Sequence, residues 1–433
     1  MDIKQRKNKL KNLKKAIYNN LDDMCLALEK DLGKSKNEAN MTEILPIINE
    51  LNLYIRKINK WARPKTVATP ISLLGTKSII EYEPYGTVFI ISPWNYPLQL
   101  AFIPLINAFA AGNKVILKLS EHSKHSNAII KQIIANVFTE DEVKVVECSI
   151  EETNRIIDNE TDFLFFTGSQ AVGKIMYQKA ASKMIPCVLE LGGKNPVIIT
   201  KDADLALTCQ ELIFSKLMNA GQTCLAPDFI LIDATIAESF YQEFTLQLHQ
   251  LLDNQLNGKG QFAHLINANS ISRLNQMLEQ EIDYNDHKIY LCQLRKESKL
   301  ATEEIFGPIL PIRIYHDLDE LAYELGLLDD SLSAYVFSKD KKIFDTIKMW
   351  VSSGSIAWNA TSQFIYNQNL PFGGIGNSGI GKYHGNIGFI TFSHQRSIFL
   401  GRNKRIMPTR ILNKIIFSRD FHRIIRQSLK FKK

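Results

Sequence analysis

GTVFIISPWNYPLQLAFIPLINAFAAGNKVILKLSE, residues 86–121, decides the fold class of this chain. A short apolar run, Thr87–Ile91, is followed by an apolar segment of helical length and then by a second run, Lys114–Leu119. Short apolar runs bounded by turn residues are typical of buried strands. Strands that alternate with helices predict a parallel sheet. The stretch therefore predicts one β-α-β unit of a doubly wound sheet.

The same alternation extends along the chain. Further predicted strands are Val143–Cys148, Phe163–Phe166, Val188–Glu190, Phe229–Ile232, Ser333–Phe337 and Ser355–Trp358. Upstream, apolar residues at helical spacing over 5–32 and 38–61 predict two long surface helices. We therefore expect an α/β protein with a Rossmann-like doubly wound parallel sheet and a second α/β segment from about Pro196. Ligands of such sheets bind outside the carboxyl ends of the strands.

Composition is that of a globular enzyme, with 433 residues of which 45% are hydrophobic and 22% charged. No apolar run reaches the length of a membrane span, and the N-terminus lacks a signal-peptide core. The six cysteines form no CxxC pair, which argues against a zinc site and a disulfide scaffold and favours a reducing cytoplasm. We therefore expect a cytoplasmic protein.

The net charge of +7 belongs to the C-terminal tail, residues 404–433, which holds ten Lys/Arg and one Asp. The remainder of the chain is near neutral, so no nucleic-acid binding is expected. Apolar residues recur in the tail at roughly helical spacing. One interpretation is an interfacial helix that contacts anionic lipid at the inner face of a membrane. The other is a helix packed over the active-site mouth or a neighbouring subunit.

One cysteine, Cys224, lies among small and polar residues in the stretch Asn219–Pro227. Gly221 and Pro227 keep this backbone out of regular structure, so that the side chain can face a cavity. Because the thiolate is the nucleophile, a reactive cysteine needs a partly exposed, polar setting of this kind. Taken alone, the stretch fits either a nucleophile or an inert small residue.

A glycine turn follows the predicted strand Phe163–Phe166. Gly168, Gly173 and Lys174 resemble a phosphate-binding P-loop, but Ile175 stands where Mg²⁺ binding requires Ser or Thr. The alternatives are a helix N-terminus facing a pyrophosphate and an ordinary strand–helix turn.

Another strand ends in Lys118-Leu-Ser-Glu121, where Lys118 and Glu121 could bracket an adenosine ribose or simply be solvated charges. A dinucleotide site is therefore one interpretation of these two strand ends together.

Seven motifs occur in order along the chain. They are Pro93-Trp-Asn-Tyr-Pro97, Lys118-Leu-Ser-Glu121, Phe166-Thr-Gly-Ser169 with Val172-Gly-Lys174, Leu189-Glu-Leu-Gly-Gly-Lys194, Asn219-Ala-Gly-Gln-Thr-Cys224, Glu303-Glu-Ile-Phe-Gly-Pro308, and Leu370-Pro-Phe-Gly-Gly-Ile-Gly-Asn-Ser-Gly379 with Tyr383-His-Gly385 and Thr391-Phe-Ser-His394. On these motifs the chain, from about Gln5 to Gly401, resembles the aldehyde dehydrogenase superfamily, and most closely its short class 3 branch, which includes fatty aldehyde dehydrogenases.

The resemblance implies catalytic roles for three residues. Cys224 would be the nucleophile, Glu190 the general base, and Asn95 the side-chain amide of the oxyanion hole. Each assignment has a purely structural alternative. Glu190 could be a strand-end charge paired with Lys194, and Asn95 could be only a turn residue. Thiolate attack on an aldehyde creates an oxyanion, and hydrolysis of the later thioester needs a carboxylate that deprotonates water.

The resemblance also implies a nicotinamide cofactor, NAD with NADP as the alternative, and no metal. The implied cofactor-binding residues are Lys118, Glu121, Gly168, Ser169, Gly173, Glu304 and Phe306. Glu121 would repel a 2′-phosphate, which favours NAD. The implied reaction is oxidation of an aliphatic aldehyde of medium to long chain to the acid. The alternatives are an acylating dehydrogenase or thioesterase, and a homologue that only binds.

The implied organisation has an NAD(P)-binding domain (1–67 and 86–191), a catalytic domain (192–388), bridging segments (68–85 and 389–403) and the basic tail. The bridging segments would carry homodimerisation. Two departures from the family stand out. Leu119 replaces a usual proline, and residues 258–302 look shortened, without an obvious strand before Glu303.

Overall fold

The computed structural model describes residues 1–70, 73, 75–256, 262–282 and 289–401, so the basic tail and the two interpretations of it lie outside the described residues. The chain forms two units. The larger comprises Met1–Trp61 and Pro84–Ser393, and the smaller comprises Ala62–Glu83 and the chain from His394. Among the residues described, no helix is both long enough and apolar enough to span a bilayer.

Strands and helices alternate along most of the chain. The strands are β1 (Lys65–Val67), β2 (Lys77–Pro84), β3 (Thr87–Ile91), β4 (Lys114–Lys118), β5 (Val143–Val146), β6 (Phe163–Gly168), β7 (Cys187–Leu191), β8 (Pro196–Ile199), β9 (Phe229–Asp233), β10 (Tyr290–Gln293), β11 (Ile309–Tyr315), β12 (Ser331–Phe337), β13 (Ser353–Trp358), β14 (Gly379–Ile380) and β15 (Ser393–Leu400). The helices are α1 (Ile3–Asn19), α2 (Leu21–Leu32), α3 (Lys36–Ala39), α4 (Leu45–Trp61), α5 (Gln99–Ala111), α6 (Lys124–Ala135), α7 (Ile150–Glu160), α8 (Gln170–Ser182), α9 (Leu205–Leu217), α10 (Ala237–Leu256), α11 (Ala268–Leu278), α12 (Lys299–Thr302), α13 (Leu318–Gly326), α14 (Lys341–Trp350) and α15 (Gly385–Thr391).

The first sheet has the order β14-β7-β6-β3-β4-β5. Its strands are parallel except for β14, which pairs antiparallel with β7 through Gly379 opposite Glu190. This confirms the predicted doubly wound sheet. The glycine-rich segment near the end of the chain thus returns to the strand that carries Glu190. The predicted domain boundaries themselves stay a prediction.

The second sheet has the order β10-β11-β9-β8-β12-β13, and all its pairs are parallel. Alternate residues of β8 face opposite sides. Val197 and Ile199 pack in one cluster with Leu212 and Phe240, whereas Ile198 packs in another with Leu274. Burial on both faces explains the continuous apolar runs of these strands.

The prediction of a segment without a strand before Glu303 was wrong. β10 pairs in parallel with β11 through Tyr290 opposite Ile309. It is four residues long and lies at the sheet edge, and its short, mixed sequence gives a weak pattern.

The prediction of two long N-terminal helices was also too coarse. Asn20 has a non-helical φ of −117° and separates α1 from α2, while the π-helical turn Asn40–Ile44 joins α3 to α4. Apolar periodicity continues across both irregularities, so it does not report them.

Candidate active site

The backbone around Cys224 is held in an irregular conformation. After α9, Asn219, Ala220 and Gly221 have φ values of 50°, 52° and 72°. A Cβ on Gly221 would lie 2.3 Å from the Gly307 carbonyl oxygen, so only glycine fits this left-handed position. The Asn195 side-chain amide donates to the Cys224 carbonyl oxygen at 2.7 Å. The result is a fixed loop in which Cys224, as a whole residue, is partly exposed.

Glu190 is a buried carboxyl group on β7. It is 4% exposed, and neither carboxylate oxygen has a hydrogen-bond partner among the described residues. A Cβ on Gly373 would approach its Oε1 to 2.9 Å, so the glycine-rich segment leaves space for the carboxyl group. Burial raises the pKa of Glu190 well above its ordinary value, and Lys382 offsets part of that rise. Burial thus disfavours the charged form of this carboxyl group and favours uptake of a proton.

Cys224 shares its surroundings with two carboxyl groups. Its pKa is raised to about 12 by burial, then by the charges of Glu304 and Glu190. The structure thus brings the predicted nucleophile, the predicted base and the predicted Glu304 into one electrostatic cluster. Burial and the two neighbouring carboxyl groups therefore both disfavour the thiolate form of Cys224.

Asn95 joins this cluster from the loop between β3 and α5. Its side chain is buried, and its amide nitrogen donates to the Gln222 carbonyl oxygen at 3.1 Å. Its own carbonyl oxygen accepts from the Asn219 amide at 2.8 Å. Tyr96 adds a contact between its hydroxyl and that of Thr223 at 2.6 Å. Asn95 therefore lies against the Cys224 loop, so the turn-only interpretation does not describe its contacts.

Glu304 lies beside a glycine that makes room for it. A Cβ on Gly192 would fall 2.0 Å from its Oε2. Burial and the charge of Asp228 raise the pKa of Glu304 to about 8. Phe306, in a left-handed conformation with φ 48°, meets the Trp94 ring edge-on at a centroid distance of 5.6 Å.

Two charged residues that the sequence did not indicate fix this segment. Asp228 accepts from the Ile305 N–H at 2.9 Å, and Arg273 donates to the Glu304 carbonyl oxygen at 3.1 Å. Lys194 forms an ion pair with Asp228, so the predicted alternative of a Glu190–Lys194 pair is wrong. These partners lie 31 or more residues along the chain from the residues they hold, so no local sequence pattern indicates the pairing.

The glycine turn after β6 fits a pyrophosphate-binding helix start. Ser169 is the N-cap of α8 and accepts from the Val172 N–H at 3.4 Å. A Cβ on Gly173 would lie 2.4 Å from Leu191 Cδ2, so glycine lets the helix approach β7. Gly168 ends β6, where a Cβ would meet the Phe166 ring at 2.6 Å. The helix N-terminus and its N–H groups are the donor set that a phosphate group needs.

The two predicted ribose contacts lie at the end of the neighbouring strand. Lys118 is the last residue of β4, opposite Ile91 of β3, and is half-buried. The Glu121 side chain is 75% exposed and lies 3.8 Å from His122 Nε2. The structure therefore places Lys118 at the carboxyl edge of the sheet and Glu121 in solvent just beyond it.

The sequence and the fold are both similar to those of known proteins. The aldehyde dehydrogenase family model matches residues 1–398. The chain is 39% identical over 408 residues to 4,4'-diaponeurosporen-aldehyde dehydrogenase of Staphylococcus aureus, with 92% of this chain and 89% of that protein covered. It is 37% identical over 417 residues to aldehyde dehydrogenase family 3 comG of Dictyostelium discoideum, with coverages of 94% and 88%.

Among solved structures, the substrate-bound state of Staphylococcus aureus AldH matches with a TM-score of 0.92 and 36% identity, covering 100% of this chain and 95% of that one. Both sequence relatives and this structure extend over nearly the whole chain. The chain therefore belongs to the aldehyde dehydrogenase family, with relatives in its class 3 branch, and is an aldehyde dehydrogenase, an oxidoreductase that acts on the aldehyde group.

Proposed function

We propose that the enzyme oxidises an aliphatic aldehyde of medium to long chain to the carboxylic acid through a covalent intermediate on Cys224. The observation that carries this proposal is the buried Glu190 carboxyl group, which has no hydrogen-bond partner among the described residues and is electrostatically coupled to the Cys224 thiol. An unpaired buried carboxylate is costly to a fold. A role as the general base that deprotonates water would account for the presence of this carboxylate.

The proposed steps start with the thiol proton. Because burial and the charges of Glu304 and Glu190 raise the pKa of Cys224 to about 12, attack requires transfer of the thiol proton to a base. Glu190 is the proposed acceptor, and it passes this proton to solvent before the hydrolysis step. The sulfur then bonds to the aldehyde carbon, and the carbonyl oxygen becomes an oxyanion. The Asn95 amide and the Cys224 N–H stabilise it, and one such donor is typically worth about 3 kcal/mol.

The second half of the reaction releases the acid. The tetrahedral carbon loses a hydride and becomes a thioester of Cys224. Glu190 then takes a proton from water, the resulting hydroxide attacks the thioester carbon, and the carbon–sulfur bond breaks. Glu190 suits this step since burial raises its pKa and so favours uptake of a proton by its carboxylate.

NAD(P) is the cofactor of this family, and it supplies the acceptor for the hydride when bound. The residues that would hold it are Lys118, Glu121, Gly168, Ser169, Gly173, Glu304 and Phe306. We propose that NAD is preferred over NADP, because Glu121 would repel a 2′-phosphate. Burial and the charge of Asp228 raise the pKa of Glu304 to about 8. Its carboxyl group could therefore form a hydrogen bond with a ribose hydroxyl in either protonation state.

The preference for a long apolar aldehyde is supported by the similar Staphylococcus aureus enzyme, whose name refers to 4,4'-diaponeurosporen-aldehyde. We also propose a cytoplasmic homodimer. For residues 404–433 both interpretations stay open, peripheral membrane contact and packing over the active-site mouth or a neighbouring subunit. Unchanged liposome binding after deletion of residues 408–433 would exclude the membrane contact.

An acylating dehydrogenase is the second candidate function. Glu190 favours hydrolysis over acyl transfer to a thiol, because only hydrolysis needs a base that deprotonates water.

The decisive experiment follows absorbance of the reduced nicotinamide with NAD or NADP and aldehydes from short to long chain. Cys224→Ala is expected to abolish the signal. Cys292→Ala, which removes another partly exposed free cysteine, should retain it. Dependence on added coenzyme A would support the acylating alternative, and no signal from the unsubstituted chain with any aldehyde would leave the binding-only interpretation.

A further inference from the structure

A fully buried ion pair lies behind Asn95. Lys34 and Glu43 each have 0% exposure, and Lys34 Nζ lies 2.6 Å from Glu43 Oε1. Both lie in the N-terminal helical region. Lys34 is in the connection between α2 and α3, and Glu43 is in the π-helical turn. Desolvating two charges is unfavourable, and such a pair is weak evidence for stability alone. Its contacts with the active-site loop offer another reason for its presence.

Each member of the pair binds the loop that carries Asn95. Lys34 Nζ donates to the Asn95 carbonyl oxygen at 3.1 Å and lies 3.9 Å from the centroid of the Tyr96 ring. Glu43 Oε2 accepts from the Leu98 N–H at 2.9 Å and from the Gln99 N–H at 3.1 Å. The carboxylate thus occupies the start of α5, where a negative charge is favourable. The pair holds the loop on both sides of Pro97.

The nucleophile loop is held from the same region. Glu38 Oε1 accepts from the Asn219 N–H at 2.7 Å, and the Asn219 side-chain amide donates to the Asn95 carbonyl oxygen that Lys34 also binds. Tyr96 completes the link through its hydroxyl, which contacts Thr223 next to Cys224. Residues 34–43 therefore bind both loops that form the proposed oxyanion site.

We propose that Lys34 and Glu43 are positioning residues, which fix the backbone of Asn95 so that its side-chain amide faces the oxygen of the substrate bonded to Cys224. The inference rests on the proposed function of Asn95 and Cys224. Neither residue needs to touch the substrate. Their effect should appear only when the oxyanion forms, because that is when the Asn95 amide acts.

The test measures kcat, KM and thermal unfolding of Lys34→Met. We expect kcat to fall by about 10-fold to 100-fold, the scale on which a displacement of about 1 Å acts, with KM for NAD unchanged. Asn95→Ala alone should lose about 100-fold to 1,000-fold. Adding Lys34→Met to Asn95→Ala should cost little more, because a residue that acts through Asn95 has nothing left to position.

Loss of the Lys34 charge alone leaves Glu43 buried without a counter-ion, which can unfold the chain. Lys34→Met/Glu43→Gln removes both charges and keeps an oxygen that can accept from the Leu98 N–H. We expect this double variant to recover much of the melting temperature but not kcat. Recovery of wild-type kcat would overturn the proposal, as would losses that multiply in the Asn95→Ala background.

Glu50→Gln is the matched control. Glu50 is 1% exposed and accepts from Asn107, Gln368 and the Gly385 N–H, without a contact to Asn95. It should lower the melting temperature with kcat near that of wild type, and an equal loss of kcat would overturn the positioning role. If the unsubstituted chain oxidises no aldehyde, the proposed function fails, whereas additive losses in an active chain overturn only this inference.

Discussion

Glu190 has a proposed chemical role and also lowers the stability of the folded chain. Its carboxyl group is buried without a hydrogen-bond partner among the described residues, and the fold raises its pKa well above the ordinary value of a glutamate. Between its unfolded and folded pKa values, the folded chain holds a proton that the unfolded chain has released. The free energy of unfolding contributed by this group therefore falls as pH rises through that interval.

Glu190→Gln should separate the two effects. We expect kcat for acid formation to fall by about 100-fold to 10,000-fold, because the base for water is lost. The melting temperature should rise relative to wild type, and the difference should grow with increasing pH as the native carboxyl is forced toward its charged form. Glu50→Gln is the comparison: burial raises the pKa of Glu50 as well, but three hydrogen-bond partners offset that rise, so any pH-dependent gain should be smaller. A gain independent of pH would contradict this account.

Gly192 makes room for the Glu304 carboxylate. In Gly192→Ala, the new Cβ would lie 2.0 Å from Glu304 Oε2, so the carboxyl group must move. We expect a higher KM for NAD and a kcat/KM lowered by about 10-fold or more, measured by steady-state kinetics.

The adjacent Gly193→Ala is the matched comparison. Its Cβ would have its nearest neighbour, the Leu332 nitrogen, at 3.6 Å, which is ordinary contact. It should change kcat/KM much less. Equal losses in the two variants would show that crowding of Glu304 is not the cause.

At this scale the sequence predicts residues that belong to motifs and misses their partners. Cys224, Glu190 and Asn95 lie within recognisable stretches, and the structure places them together. Lys34, Glu43, Asp228 and Arg273 lie in unremarkable stretches, and their importance follows from burial and from partners far along the chain. Such pairings are a property of the folded chain, so a single sequence does not display them.

Helix α8 approaches strand β7 closely because Gly173 has no side chain. Gly173→Ala would bring a Cβ to 2.4 Å from Leu191 Cδ2, and we expect destabilisation by about 1–3 kcal/mol from overpacking. Since α8 begins at the proposed pyrophosphate site, the dissociation constant for NAD should also rise. Urea unfolding and cofactor titration measure the two effects.

Gly326→Ala is the control for that prediction. Gly326 is the last residue of α13, and a Cβ there would meet nothing within 4 Å. We expect stabilisation by about 0.4–1 kcal/mol, because alanine restricts the unfolded chain. Destabilisation of both variants by the same amount would mean that the packing of α8 on β7 is not what Gly173 provides.

Elements were predictable where burial imposes a strong pattern. β3, β4 and β6 are covered on both faces, and their apolar runs mark them within one or two residues. The edge strand β10 pairs on one side only and was missed. The break at Asn20 was missed because the apolar stripe of α1 continues into α2, although Asn20 itself is a residue that commonly caps helices.

At the scale of the whole molecule, the order of the motifs follows from family membership. Homodimer formation depends instead on surfaces outside the motifs. The smaller unit contains a three-stranded sheet with the order β1-β2-β15. Among the described strands, β15 pairs only with β2, so its other edge has backbone groups not paired to a described strand. Phe399 and Leu400 on this strand are 55% and 45% exposed.

An edge strand with exposed large apolar side chains is a template for pairing with another chain. We therefore predict that β15 contributes to the homodimer, and that Phe399→Glu/Leu400→Glu converts the dimer to a monomer by placing charges at this edge. Light scattering after size-exclusion chromatography measures the mass. Met349→Glu, which alters a 76% exposed side chain on α14, should leave the mass unchanged.

The outcome also bears on catalysis. The residues of the proposed active site, from Asn95 to Phe306, all belong to the larger unit of one chain, whereas β15 from His394 belongs to the smaller unit. A monomeric variant that retains kcat would show that each active site is complete within one chain. A variant that remains dimeric would place the interface elsewhere and contradict the role of β15.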